Sequence, residues 1–215
     1  MHQSATRATG LRERRTARTA RRLISTARAW TAERGLAGFT VEELCAEVEV
    51  SRRTFFNYFA KKEHAVLGIR THDTELDRVA QEFLHSTEPL VTALITLSRR
   101  RWEILGHGFE DHAELMNALR QEPELHALMV EFAARIEHAD AELVAEREGW
   151  AADDTRAITA VTLVGTFGRA VATEQFAADR PLSPTHFAER LSERLQQAAA
   201  MLTSTPETTT ERNRP

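Results

Sequence analysis

The chain has 215 residues, 42% of them hydrophobic, and a formal net charge of −4, which describes a globular protein with one large core or two small ones and excludes a disordered chain. No apolar run approaches the roughly 20 residues of a membrane span, and the polar start MHQSATRATGLRERR lacks the apolar stretch of a secretory signal. A single cysteine, Cys45, leaves no intrachain disulfide, so a reducing cytoplasm is the expected compartment.

Taken in chain order, every element reads as a helix. Residues 1–14 are polar and carry Arg7, Arg12 and Arg14, which predicts a flexible basic arm. Ala20, Leu23, Ala27 and Trp30 recur at helical spacing and predict a first helix over 15–34, with Gly35 just past its end. Thr40 with Glu43 three residues on forms a capping-box pattern, and Ser51 restarts the chain as a second N-cap. Leu44, Val48, Val50, Phe55 and Tyr58 space the apolar contacts that lock one short helix across another. A fourth helix is expected from about residue 61, carrying Val66, Ile69, Leu76, Val79 and Phe83. Pro89 suits the first turn of a helix reaching about 105, where Gly106 and Gly108 break it. Helices over about 112–121 and 123–148 follow, the latter closed by Gly149.

Asp153 and Asp154 open a helix to about 178, and Ser183 and Pro184 open another to about 202. On the last, Phe187, Leu191, Leu195, Ala198 and Leu202 form an apolar stripe; the one before alternates bulky and small residues, with Ile158, Val161, Gly165, Gly168 and Val171. Small residues let helices approach closely, so these two are expected to pair with their symmetry mates in a four-helix bundle, with Val161, Gly165, Gly168, Phe187, Leu191 and Leu195 in the interface, the alternative being that the chain's own core fills both stripes. Residues 203–215 are expected to be a disordered tail.

The chemistry concentrates in residues 39–66. If Phe55 points inward, Arg53 and Asn57 lie about 160° from it on the helix and face outward. Arg52, Thr54 and Phe56 flank that line. Arginine pairs bidentately with guanine and asparagine with adenine in the major groove, so this is the residue chemistry of base readout. The charge agrees: residues 1–62 sum to +7 and residues 63–215 to −11, a basic head on an acidic body.

With Ala27, Gly35, Phe39, Thr40, Val41, Leu44, Val50, Ser51, Thr54, Phe55, Tyr58, Phe59, Lys62 and Glu63 in this order and spacing, residues 20–66 resemble the TetR family of bacterial regulators. The resemblance implies an all-α fold: a helix-turn-helix head over 15–62, then a helical ligand-binding and dimerisation body over 63–202. It implies a ligand-responsive repressor, cytoplasmic and nucleoid-associated, that binds a palindromic double-stranded DNA operator as a homodimer. Thr40, Tyr58 and Lys62 match positions that hold phosphates in that family, beside Ser51, Arg52, Arg53, Thr54 and Asn57. The arm arginines are expected to reach a minor groove. Two departures stand out: Glu49 replaces the usual turn glycine, and Phe56 replaces a tyrosine, so no hydroxyl contact is carried over to it.

Within the body, Trp102, Phe109, Met116, His126, Met129, Phe132 and Phe167 are candidates to line an apolar effector cavity, with Trp150 beside them and His138 or Arg135 orienting the ligand. Arg99, Arg100 and Arg101 are placed either to meet the phosphates of an acyl-CoA-like effector or to pair with acidic neighbouring helices. No GxSxG, P-loop, GxGxxG or HExxH motif occurs, so neither enzyme activity nor a cofactor is expected. Glu110, Asp111, His112 and Glu114 read as a solvated acidic loop rather than a metal centre. Cys45 reads as a small core residue. The alternative is a small-molecule-binding or scaffold helical protein without DNA binding.

Overall fold

A computed structural model describes residues 2–105, 112–177 and 183–203, with side chains described over 15–104, 114–174 and 183–203. Among the described residues every regular element is helical. They are α1 (His2–Arg34), a 3-10 turn (Leu36–Gly38), α2 (Val41–Val48), α3 (Arg52–Tyr58), α4 (Lys62–Leu67), α5 (Thr74–Leu84), α6 (Leu90–Leu105), α7 (His112–Gln121), α8 (Pro123–Glu148), α9 (Thr155–Ala177) and α10 (Pro184–Thr203).

Two boundaries differ from the sequence reading. Helix α1 starts at His2, so the backbone read as a flexible arm is helical. The expected fourth helix is two helices, α4 and α5. Gly68 ends α4 in the left-handed region at φ 76°, where a side chain would be strained and would meet Arg28. Asp73 then caps α5, its carboxylate accepting from the N–H groups of Glu75 and Leu76, while Arg70 holds the same carboxylate at 2.8 Å.

The helices enclose two cores. In the first, Leu23, Ala27, Phe39, Leu44, Phe55, Phe59 and Val66 of the head pack with Leu115, Ala118 and Leu125 from α7 and the start of α8. The second joins Val79 and Phe83 of α5, Leu94 and Leu97 of α6, Val144 of α8, Val161 and Val171 of α9, and Phe187 and Leu191 of α10. Helix α8 therefore belongs to both cores, and the head is welded to part of the body rather than strung from a linker at residue 62. No described helix is long and apolar enough to cross a membrane.

Candidate nucleic-acid interface

The outward helix α3 is fixed by what lies at each of its ends. Before it, Thr40 caps α2 reciprocally: its hydroxyl accepts the Glu43 N–H at 3.2 Å, and the Glu43 carboxylate accepts the Thr40 N–H at 2.7 Å. These bonds hold the Glu43 carboxyl below its ordinary range. Helix α2 ends at Glu49, the one described non-glycine residue with positive φ, at 59°. Glu49 N–H reaches Ala46 carbonyl and Val50 N–H reaches Cys45 carbonyl, so the turn closes as it would around glycine, at a conformational cost glycine avoids. Ser51 then caps α3, its Oγ accepting the Thr54 N–H at 3.0 Å and sharing a 2.8 Å bond with the Thr54 hydroxyl. Phe55 is wholly buried beneath α3.

With Phe55 inward, Arg53 and Asn57 are exposed and engage no partner among the described residues. Their donors and acceptors are available to a ligand. Arg52 is exposed as well but pairs with Glu42 of α2 at 2.9 Å and lies 5.8 Å from the Phe56 ring centre. Such an exposed pair is worth at most about 1 kcal/mol, so a phosphate can take Arg52 over. Phe56 is 44% exposed and stands edge-on to Phe55.

The remaining residues expected at the backbone are differently placed. Thr40 spends both its N–H and its hydroxyl on Glu43, leaving no donor for a phosphate in this arrangement. Lys62 donates to the carbonyls of Leu36 (2.7 Å) and Phe39 (2.9 Å), so its ammonium ties α4 to the 3-10 turn and keeps one N–H in hand. Tyr58 is half-buried; its carbonyl accepts the Thr71 N–H at 2.8 Å and its ring faces the Arg70 guanidinium. The sequence offers no local signal for Glu122, whose carboxylate leaves its own helix uncapped and accepts the Leu36 N–H at 2.8 Å, 86 residues away. Gly35 makes room for it, since a Cβ there would stand 3.3 Å from that carboxylate.

In the body, the expected cavity residues are divided between the cores. Met116, Met129 and Phe132 pack on the first core; Trp102, Trp150 and Phe167 pack on the second, with Trp102 stacked on Phe187 at 4.8 Å. His126 and His138 are exposed. The division arises because α7 and the first half of α8 lean on the head. Phe109 and the acidic stretch 110–111 lie outside the described residues, as do the side chains of His112, Arg7, Arg12 and Arg14. The triple arginine forms ion pairs, Arg99 and Arg100 with Glu103 and Arg101 with Asp140, which is the pairing with acidic neighbours that the sequence reading set beside a ligand contact. Cys45 is buried, and burial pushes its thiol up, away from the reactive thiolate.

The expected interface residues need correcting in the same way. Val161, Phe187 and Leu191 are buried in the subunit's own second core, and Leu195 packs against it. Gly168 admits Phe187, whose ring a Cβ would meet at 3.5 Å, and Gly165 admits Glu137 of α8 at 3.3 Å. The small residues serve contacts within one subunit. Ile158, Leu163, Met201 and Leu202 are the exposed large apolar residues of α9 and α10.

Two comparisons bear on this geometry. Residues 23–67, from the middle of α1 to the end of α4, match the family model of bacterial regulatory proteins, tetR family. The HTH-type transcriptional regulator TcmR of Streptomyces glaucescens is 30% identical over 174 residues, covering 78% of this chain and 77% of that protein.

Proposed function

Because the chain belongs to the tetR family of bacterial regulatory proteins and is a DNA-binding transcriptional regulator, we propose that it is a repressor that grips a palindromic operator as a homodimer and lets go when a small apolar molecule enters the body. The observation that carries the reading is the pair Arg53 and Asn57: a guanine-reading and an adenine-reading side chain, unengaged on the outward face of a helix capped at its start by Ser51. Release follows from how the head is held. Glu122 holds the Leu36 N–H and Lys62 holds the Leu36 carbonyl, so a shift of the α7–α8 turn pulls on the entry to α2. Thr71 and Arg70 hold Tyr58 at the exit of α3.

Dimerisation is assigned to the exposed face of α9 and α10, on Ile158, Leu163, Met201 and Leu202. Ile158→Glu with Leu163→Glu is expected to give a folded monomer with weakened operator binding, by light scattering beside circular dichroism. Selection of bound duplexes from fragmented genomic DNA tests the reading as a whole. The expected product is a palindrome whose half-sites lie about 34–36 Å apart or a multiple of it. A folded protein that enriches no sequence would overturn it.

A further inference from the structure

The outward face of α3 holds one group with no polar chemistry. Among the described residues, Phe56 is the one large apolar side chain of the head that stands exposed, at 44%. At about 100° per residue it lies about 40° from Arg52 and about 60° from Arg53, between the guanidinium paired with Glu42 and the unengaged one. Asn57 lies about 40° to the other side of Arg53, so the four residues share about 140° of one face. The Phe56 ring is held in place on that face. It stands edge-on to the wholly buried Phe55, with ring centres 5.3 Å apart and planes at 89°, and the Arg52 guanidinium lies 5.8 Å from its centre. A ring fixed in this way loses little freedom when a partner covers it. With neither donor nor acceptor, it can hold no phosphate and no polar base edge by a hydrogen bond. What it offers is apolar contact, and the apolar group that the bases present in the major groove is the C5 methyl of thymine.

We propose that Phe56 is a specificity-determining residue of α3, whose ring covers a thymine C5 methyl beside the base pair read by Arg53, so that each half-site of the operator carries a thymine at one fixed position. The inference rests on the DNA-binding reading above and adds an uncharged contact to the pair Arg53 and Asn57. Against thymine the ring and the methyl leave water together; against cytosine, which carries only hydrogen at C5, that gain is lost. The preference arises from apolar contact, so it brings no dependence on salt.

The experiment replaces thymine by uracil, which pairs alike and lacks only the methyl, at each thymine of the selected operator in turn. Affinity is measured for the full chain and for its variants Phe56→Ala and Phe56→Gln on the thymine operator and on each substituted one. The unaltered protein is expected to lose about fourfold for the methyl removed at one position of a half-site, and about fifteenfold when both half-sites lack it, as burial of a methyl group implies. Both variants should bind the thymine and uracil operators alike at that position, with the salt slope of the unaltered protein. A merely structural role for Phe56 would weaken the two operators equally and keep the difference between them, which would overturn the proposal. An unaltered protein indifferent to uracil at every position would overturn it as well. That arm needs no variant, so it decides even where a substitution unfolds α3. A protein that binds no duplex would sink the DNA-binding reading itself, and the proposal with it.

Discussion

Arginine is spent in opposite ways at the two ends of this molecule. In the body, from Arg70 to Arg194, every described arginine but Arg120 and Arg135 closes an ion pair with a carboxylate. In the head, Arg52 does so, with Glu42. Arg15, Arg18, Arg21, Arg22 and Arg53 stand exposed with no ion pair among the described residues, Arg34 lies over the Trp30 ring, and Arg28 is buried with its Nε–H on the Val66 carbonyl. The same side chain is a strut in one region and an open hand in the other. Charge totals alone do not reveal that difference, because they count the struts together with the free groups.

The largest test of the contrast is to remove one strut. Arg101 and Asp140 join α6 to α8 with little exposure, and burial pushes the Asp140 carboxyl up against the pull of its partner. Asp140→Ala strands a shielded guanidinium, and denaturant unfolding should show a loss of about 3 kcal/mol. Arg53→Ala and Arg18→Gln, with no partner to strand, should change stability by no more than about 0.5 kcal/mol. Equal losses in the two regions would erase the comparison.

A middle-sized effect is expected where the two regions meet. Glu122→Ala leaves the Leu36 N–H without its acceptor, at a cost of about 1–3 kcal/mol, and amide exchange at Leu36 should quicken. Glu122→Gln keeps an acceptor and should recover most of it. Exchange at Leu36 unaltered by Glu122→Ala would remove this link between head and body.

How much of this was legible beforehand depended on how local the cause was. Thr40 with Glu43 and Ser51 with Thr54 are contacts within one turn, and Pro123 and Gly149 each mark a helix end by their own backbone preference, so the sequence pattern is enough to place them. The same locality allowed Arg53 and Asn57 to be set outward by angle. The break between α4 and α5 had a local signal in Gly68 and Asp73 that continuous apolar spacing outweighed. The buried fate of Phe187 and Leu191 had no such signal. An apolar stripe looks alike whether a second subunit or the chain's own α6 covers it. Glu122 and Lys62 were hidden for the same reason, since their donor and acceptor partners, the Leu36 N–H and carbonyl, lie 86 and 26 residues away.

A smaller effect tests the electrostatics of the head. His64 on α4 is half-buried beside Lys61 and Arg135, and burial first, then those two cations, hold its imidazole below the ordinary value of about 6.5. The unfolded chain therefore takes up this proton first. Stability from this site is whole above about pH 6.5 and is lost as pH falls through the depressed folded value. Melting temperature should drop between about pH 7 and 5, and His64→Gln should flatten that drop. A steeper drop in the variant would reverse the sign assigned here.

The central claim is that α3 reads bases through Arg53 and Asn57, and Asn57 separates base reading from charge because it carries none. The decisive measurement is the affinity of Asn57→Ala for the selected operator and for a scrambled duplex across a range of salt. The account predicts a loss of about 1–3 kcal/mol on the operator, relaxed preference at one base pair per half-site, and no change on the scrambled duplex or in the salt slope. Equal losses on the two duplexes would contradict it.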